Sequence, residues 1–236
     1  MKNIEKPFIS IIIPTLNEEK YIERCLNSVK NQNFQDFEVI IVDNISRDNT
    51  VKIAKKYTDK VILTKKHGAG IARNIGTEIA KGEVLLFLDA DTTLPNNLTE
   101  KIYETIKQDD KISYGAISLR FEGSYIKCKL VNFIFYFYEV FSIKQGIAGN
   151  CFFIKKELFD RTNGFRNIIC EDTDLGLRLK GLGYRKDIND IHVISSSRRF
   201  KKIGYFRSLL VWFKQYWLIK LNKAKNITLN NYYRIR

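Results

Sequence analysis

The sequence predicts an α/β fold with a mainly parallel, Rossmann-like sheet and helices on both of its faces. Three observations lead to this fold class: short apolar runs rich in β-branched residues, helical patterns between them, and polar residues directly after the runs. Parallel strands that are covered on both faces are apolar along their whole length, and alternation with helices gives right-handed crossovers. The 236 residues allow one large domain with an appendage.

The first two strands are expected at Phe8–Ile13 and Glu38–Val42, which are nearly continuous in Ile and Val. Asn17 is placed to cap the helix after the first strand, because acidic residues that suit a helix N-terminus follow it. Ser46 is placed in the same way to cap the helix after the second strand. These two units predict the start of a βαβ sheet.

The pattern continues with strands at Val61–Leu63 and Val84–Leu88 and a helix at Ala69–Ala80 between them. The second half is less regular. Its expected elements are strands at Ile112–Phe121 and Gly146–Ile154, a buried or interfacial aromatic helix at Leu130–Tyr138, and a helix at Asp172–Leu182. We therefore divide the chain into one large α/β domain, residues 1–200, and a basic, aromatic-rich helical C-terminal extension, residues 201–236.

Charge is concentrated in the last part of the chain. The net charge is +14, yet no Asp or Glu occurs from Ile191 to Arg236, which holds 11 of the 40 Lys and Arg residues. The preceding residues carry 29 basic against 26 acidic groups and are nearly neutral. A nucleic-acid surface over the whole protein is therefore not expected.

The basic extension also contains both tryptophans. Helical spacing puts one set of apolar residues on a single face: Phe206, Leu209, Leu210, Phe213 and Trp217. Basic groups beside Trp and Tyr suit the headgroup region of an anionic membrane. Packing of the helix onto the catalytic domain or another subunit explains the same pattern, and both interpretations stay open here.

Several protein classes are excluded by simple counts. The four cysteines form no C-x-x-C pair, so neither a zinc knuckle nor a redox motif is indicated. The N-terminal residues lack the apolar segment of a signal peptide, and no stretch has the roughly 18 apolar residues of a membrane span. We expect a cytoplasmic protein that contacts a membrane, if at all, peripherally on its inner face.

Polar residues follow three of the predicted strands. They are Thr15, Asp43 and the D-x-D pair, Asp89 and Asp91. Ligands of parallel sheets bind beyond the carboxyl ends of the strands, so these residues are expected to meet in one crevice. Two carboxylates there suit Mg²⁺ or Mn²⁺, which prefer oxygen ligands and keep positions open for phosphate oxygens.

The chain resembles the family 2 glycosyltransferases of GT-A fold between about Phe8 and Arg199. The resemblance rests on an ordered set of segments: Ser10–Glu19, Val42–Thr50, Gly70–Gly76, Phe87–Asp91 and Cys170–Leu175. It implies a metal-dependent enzyme that transfers a sugar, with inversion, from a nucleotide diphosphate sugar to an acceptor hydroxyl. A glycan or lipid-linked saccharide is the expected acceptor, and Mn²⁺ or Mg²⁺ the expected cofactor.

The resemblance also assigns residues to the donor pocket, namely Thr15, Glu18, Asp43, Arg73 and Asp89. Asn44 departs from a second aspartate that is frequent in the family, which leaves the nucleotide base open. A helix that begins near Ala69 supports the position of Arg73, because its amides and the guanidinium would both face phosphate oxygens.

For catalysis, the resemblance assigns both Glu171 and Asp172, with Asp172 as the general base, since an acceptor hydroxyl needs a carboxylate to accept its proton. Capping of a helix start explains the same two residues without catalysis. Asp89 and Asp91 are the expected metal ligands, with the late His192 as a third.

Three other protein classes fit the sequence less well. A sugar nucleotidyltransferase needs a glycine-rich loop after the first strand, and residues 14–19 contain no glycine. A P-loop enzyme is excluded because G-x-x-x-x-G-K-[ST] is absent. A non-catalytic basic module that binds a membrane surface or nucleic acid fits the extension but not the nearly neutral remainder, so nucleic acid is an unlikely partner.

Overall fold

The computed structural model describes residues 6–123, 151–168 and 170–221. The strands are β1 (Ile9–Thr15), β2 (Phe37–Asp43), β3 (Val61–Leu63), β4 (Val84–Leu88), β5 (Thr92–Thr93), β6 (Ile112–Phe121), β7 (Cys151–Lys155), β8 (Tyr184–Arg185) and β9 (Ile188–Ser195). The helices are α1 (Ile22–Lys30), α2 (Thr50–Ala54), α3 (Ala69–Ile79), α4 (Leu98–Gln108), α5 (Lys156–Arg161), α6 (Glu171–Leu179), α7 (Arg198–Ile203) and α8 (Tyr205–Lys220).

The strands form one sheet in the order β3-β2-β1-β4-β7-β6-β9-β5, with β8 paired to β6. The first four in this order are mutually parallel. β7 is antiparallel to both β4 and β6, whereas β9 runs parallel to β6. The predicted α/β class with a mostly parallel sheet is confirmed, and the antiparallel β7 is a feature that the apolar pattern did not indicate.

Helices cover both faces of the sheet because its central strands are apolar on both sides. Ile11 and Ile13 of β1 belong to one buried cluster, which includes the inner residues of α1 and α4. Ile12 points to the other face and packs with α3. A Cβ atom on Gly76 of α3 would lie 2.5 Å from Ile12 Cγ2, so only glycine permits this close approach of helix and strand.

Two predicted helix caps are wrong, and both residues instead connect the loops after β1 and β2. Asn17 has a φ of 55°, and α1 begins only at Ile22. The Asn17 amide N–H donates to Ser46 Oγ at 2.8 Å, and its Oδ1 accepts from the Arg47 N–H at 2.9 Å. α2 begins at Thr50, whose amide donates to Asp48 Oδ1 at 3.0 Å. Tertiary hydrogen bonds between the loops replace the local caps.

The C-terminal extension begins within a structural element rather than after one. α7 crosses the expected boundary at residue 200, and Phe200 is buried with its ring centroid 4.8 Å from that of Phe121 in β6. α8 follows directly after Gly204. The aromatic segment Leu130–Tyr138, residues 146–150 of the strand expected at Gly146–Ile154, and residues 222–236 lie outside the described part of the chain.

Candidate active site

Polar side chains meet beyond the carboxyl ends of β1, β2 and β4, as the order of strands requires. We call them the strand-end cluster: Thr15, Glu18, Asp43, Asp89 and Asp91. Parallel pairing in register places the last residues of β1 and β2 side by side. β4 pairs with the other edge of β1, which brings the D-x-D pair to the same end of the sheet.

Asp43 joins the ends of the first two strands. Thr15 Oγ1 donates to Asp43 Oδ2 at 2.7 Å, and the Ser46 N–H and Oγ donate to Asp43 Oδ1 and Oδ2 at 2.7 and 2.6 Å. Asp43 is fully buried. Its carboxylate therefore braces the loop before α2, and this explains why Ser46 is not available as a helix cap.

Arg73 of α3 connects the D-x-D pair to the start of α6. Its Nη2 donates to Asp89 Oδ1 at 2.7 Å and its Nη1 to Glu171 Oε1 at 2.6 Å. The guanidinium is buried and lies 5.4 Å from the centre of the Phe165 ring. Burial works to lower the pKa of Arg73, but the carboxylates of Asp89, Glu171 and Asp172 raise it overall. Arg73 is therefore a permanently charged bridge between two acidic segments.

Glu171 and Asp172 open α6, which starts one residue earlier and ends three residues earlier than the pattern predicted. The chain enters the helix through Cys170, which has a left-handed φ of 56°. A Cβ on Gly70 of α3 would lie 2.9 Å from Glu171 Cγ, so α3 and α6 approach closely here. Arg73 holds Glu171, and the neighbouring Asp172 accepts the Thr173 N–H on its Oδ1 at 2.8 Å.

Asp174, the next acid along α6, has a structural environment. It is 7% exposed and accepts hydrogen bonds from Arg178 Nε at 2.8 Å and Arg166 Nη1 at 3.2 Å. Arg178 also donates to the carbonyl oxygens of Thr162 and Gly164. This network fixes α6 against the preceding loop and so fixes the position of the acidic pair at its start.

Asp91 contacts a residue that the sequence did not single out for the site. Arg198, the first residue of α7, donates through Nη1 and Nη2 to the two oxygens of Glu18, both at 2.6 Å. Its Nε lies 3.2 Å from Asp91 Oδ2, and its guanidinium lies 4.5 Å from the centre of the Tyr21 ring. Glu18 and Asp91 are thereby joined through one cation.

His192 lies apart from the D-x-D pair. It sits on β9 opposite Ser118, three residues before Ser195, which is the position that pairs with Thr92. At roughly 3.3 Å per residue, this separation is about 10 Å along the strand. Within the described residues no group of three or more His, Cys, Asp or Glu side chains could hold a metal ion by itself.

A family model for Glycosyl transferase family 2 matches residues 10–161, which is more than half of the chain. The chain belongs to this family. The family resemblance carried by the motifs is therefore confirmed, together with the GT-A type of fold.

Two curated relatives illustrate the sequence similarity of this family 2 chain. An uncharacterized glycosyltransferase of Haemophilus influenzae is 30% identical over 188 residues, covering 72% of this chain and 61% of the relative. The poly(ribitol-phosphate) β-N-acetylglucosaminyltransferase TarS of Staphylococcus aureus is 43% identical over 90 residues, covering 35% and 16%. The chain spans less than two thirds of the length of these relatives.

Two solved structures share the fold of the family 2 chain. TarS in complex with UDP-GlcNAc superimposes with a TM-score of 0.67 at 22% identity, covering 80% of this chain and 58% of TarS. The mannosyltransferase PcManGT of Pyrobaculum calidifontis, in complex with GDP-Man and Mn²⁺, gives a TM-score of 0.65 at 21% identity, covering 87% and 65%. At these identities the similarity establishes the architecture alone.

Sequence reasoning missed two residues that contact Asp91, namely Arg198 and Ser195, whose Oγ lies 3.4 Å from Asp91 Oδ1. The sequence analysis counts Arg198 among the 11 basic residues from Ile191 to Arg236, because a charged tail is the simplest interpretation of consecutive basic residues. The signal that could have found it is the triple serine Ser195–Ser197 that precedes it, a turn-forming segment directly after an apolar strand. Nothing in the sequence, however, indicates that β9 ends beside Asp91.

Replacement of Arg73 by methionine is expected to lower the free energy of unfolding by about 3 kcal/mol or more, because two mostly buried carboxylates lose their shared cation. Arg24 is a matched control, since it contacts both oxygens of Glu122 at 2.8 and 3.1 Å but both side chains are nearly half exposed. Arg24→Met should cost less than about 1 kcal/mol. Urea denaturation measures both, and equal losses would contradict the bridging role.

Proposed function

We propose that the chain transfers a sugar from a nucleotide diphosphate sugar to an acceptor hydroxyl, with inversion and with a divalent cation. The observation that carries this proposal is the Arg73 bridge, which joins the D-x-D pair at Asp89 to the Glu171-Asp172 pair. Glycosyl transfer needs the sugar donor and the general base at a fixed separation. Because the buried Arg73 guanidinium contacts both acidic pairs, it fixes the separation between them.

Family membership and the donor complexes of TarS and PcManGT support a nucleotide sugar as donor. The identity of the nucleotide base stays open, because Asn44 stands where a second aspartate is frequent in the family. Its side-chain amide donates to the Lys66 carbonyl oxygen at 2.6 Å, so the residue is engaged with a neighbouring loop. A thermal-shift screen of UDP-, GDP-, dTDP- and CDP-sugars with Mn²⁺ and Mg²⁺ would identify the donor, because binding to the folded state raises its apparent stability.

The D-x-D pair supplies the carboxylate oxygen ligands that Mg²⁺ and Mn²⁺ prefer. Both ligands are carboxylates, with side chains 26% and 14% exposed, and these cations complete their shell with water and phosphate oxygens. We assign Asp89 and Asp91 as the residues that hold the cation. When bound, it would stabilise the negative charge that develops on the departing diphosphate. The additional assignment of His192 lacks support from its position on β9.

Asp172 is proposed as the general base. The acceptor oxygen forms a bond to the anomeric carbon while the bond from that carbon to the diphosphate oxygen breaks, and the hydroxyl proton passes to the Asp172 carboxylate. Attack from the side opposite the leaving group inverts the anomeric centre. Glu171 keeps α6 in position through Arg73, whose positive charge also lies near the site of the leaving group.

Donor binding is expected to require the cation and the Asp91 carboxylate. With the donor found in the screen, Asp91→Ala should weaken binding by at least about tenfold, because one ligand of the cation is lost. Asp109→Ala is the control, since Asp109 is an exposed residue at the end of α4. Calorimetry with Mn²⁺ and with EDTA measures the effect. Equal affinity in EDTA would remove the metal from the proposal.

Asp172→Asn should keep donor affinity and lower turnover about 10²-fold or more, because the asparagine amide cannot take up the proton of the attacking hydroxyl group. Asp174→Asn is a useful comparison on the same helix. It should reduce stability through the loss of the Arg178 contact rather than remove the base. Product formation at saturating donor, with calorimetric donor affinity, separates the two. Near wild-type turnover for Asp172→Asn would place the base elsewhere.

The acceptor is proposed to be a saccharide held at a membrane, either lipid-linked or bound to the surface, with the chain peripheral on the inner face. This rests on α8. Phe206 and Leu210 are 75% and 53% exposed, and Trp217 and Leu221 continue the same helical face at 42% and 56%. Arg207 and Lys214 are exposed beside it, which suits anionic headgroups. No helix among the described residues is long and apolar enough to span a bilayer.

The full chain is therefore expected to float with vesicles that contain an anionic lipid, and less with neutral ones. Phe206→Ser with Leu210→Ser should reduce the bound fraction about tenfold, because two apolar side chains no longer enter the interface. Leu63→Ser, which alters a 55% exposed leucine on β3, should have no effect. If the wild-type chain stays out of the lipid fraction at physiological salt, the membrane assignment is wrong.

The alternative is a basic module without catalysis that binds a membrane surface or nucleic acid. Its supporting observation is the basic stretch from Ile191 to Arg236, which contains no Asp or Glu. It would predict salt-dependent retention on DNA without metal-dependent nucleotide binding. The acidic strand-end cluster favours the enzyme, since carboxylates repel phosphate unless a cation intervenes.

A further inference from the structure

The Arg198 guanidinium is shared between two carboxylates of the strand-end cluster. Both of its terminal nitrogens bind Glu18, whose side chain is 6% exposed, while Nε lies 3.2 Å from Asp91 Oδ2. The ring of Tyr21 lies against the same group at 4.5 Å. The fork to Glu18 and the ring fix the position of the guanidinium, so its contact with Asp91 is the one that can open without releasing the arginine.

Asp91 is held by the same turn through further contacts. Ser195 Oγ lies 3.4 Å from Asp91 Oδ1, and the Ser196 N–H donates to the Asp91 carbonyl oxygen at 3.2 Å. Residues 195–198 therefore orient both the backbone and the side chain of Asp91. This turn lies beyond residues 10–161, the part that matches the family model, so a later segment of the chain completes the site.

We propose that Arg198 is a positioning residue that occupies the Asp91 carboxylate in place of the divalent cation, so that the cation binds together with the donor diphosphate rather than alone. The proposal rests on the assignment of Asp91 as a metal ligand. A divalent cation on Asp91 would lie close to the guanidinium, and the two positive charges repel each other. The diphosphate supplies the negative charge that permits both to remain.

The chain's own residues define what Arg198 does in each state. Without donor, it neutralises Asp91, while Ser195 Oγ and the Ser196 N–H keep that residue oriented. When the donor and the cation are bound, Arg198 keeps its two hydrogen bonds to Glu18 and its contact with the Tyr21 ring. Only the contact between its Nε and Asp91 is lost. The consequence is a low affinity for the metal alone, which couples metal binding to donor binding.

The test measures the affinity for Mn²⁺ alone, from the electron paramagnetic resonance signal of free Mn²⁺. Arg198→Gln should tighten Mn²⁺ binding about threefold or more, the scale expected for a lost ion-pair competitor. Arg161→Gln removes the same charge from the exposed end of α5 and should leave the affinity unchanged. A merely structural role for Arg198 would weaken Mn²⁺ binding, because Asp91 would lose its orientation.

Arg198→Gln also leaves the buried Glu18 without its forked partner, which adds negative charge near the metal site. The double variant Glu18→Gln with Arg198→Gln restores the net charge of the wild type and should still bind Mn²⁺ more tightly. Arg198→Lys keeps the positive charge. It replaces the glutamine variants in the test if thermal melts show that these do not fold. Its Mn²⁺ affinity should lie above that of the wild type, because an ammonium cannot contact both carboxylates as the fork does.

Unchanged or weaker Mn²⁺ affinity in folded variants would overturn the role of Arg198. It would leave the metal assignment intact if Asp91→Asn still abolishes Mn²⁺ binding in the presence of donor. Absence of Mn²⁺ binding in wild type and variants, with donor present or not, would overturn both the role of Arg198 and the metal assignment. These results separate a failure of this inference from a failure of the proposed function.

Discussion

The buried guanidinium of Arg73 is the constraint on which the geometry of the candidate site depends. It contacts Asp89, which follows β4, and Glu171 at the start of α6, which lies 98 residues after Arg73 in the chain. Removing three charges from water is costly, and close hydrogen bonds offset that cost only when the geometry is fixed. The distance between the D-x-D pair and the acidic pair is therefore set by one side chain, and α3, β4 and α6 cannot shift independently.

Electrostatics explains why such a bridge is needed. The described site residues include six carboxylates, namely Glu18, Asp43, Asp89, Asp91, Glu171 and Asp172, and two arginines that contact them directly. A surplus of negative charge of this kind repels an anionic ligand. The arginines reduce the repulsion between the carboxylates, and under the proposed function a divalent cation offsets the negative charge that remains.

The sequence was sufficient for the parts of the fold that repeat locally. Continuous apolar runs identify β1, β2 and β4, and their polar ends predict where the site lies, because parallel register brings strand ends together. Strand direction is not encoded in such runs, so the antiparallel β7 was not predicted. Asn17 was assigned as a cap because caps are local, whereas its observed contacts to residues 46 and 47 are tertiary. Arg198 was missed for the same reason, since only the pairing of β9 with β5 brings it to Asp91.

The position of Arg198 has a consequence for the extension. α7 is only six residues long, and it begins with Arg198 in the site and carries Phe200, which is buried against Phe121. Tyr205, the first residue of α8, stacks on Phe200 with ring centroids 5.5 Å apart. The exposed apolar face of α8 thus starts beside the packed rings of Phe200 and Tyr205, and Phe200 lies two residues after Arg198, which contacts Asp91. Under the proposed function, a membrane bound by α8 would be held close to the candidate site, as transfer to a membrane-held acceptor requires.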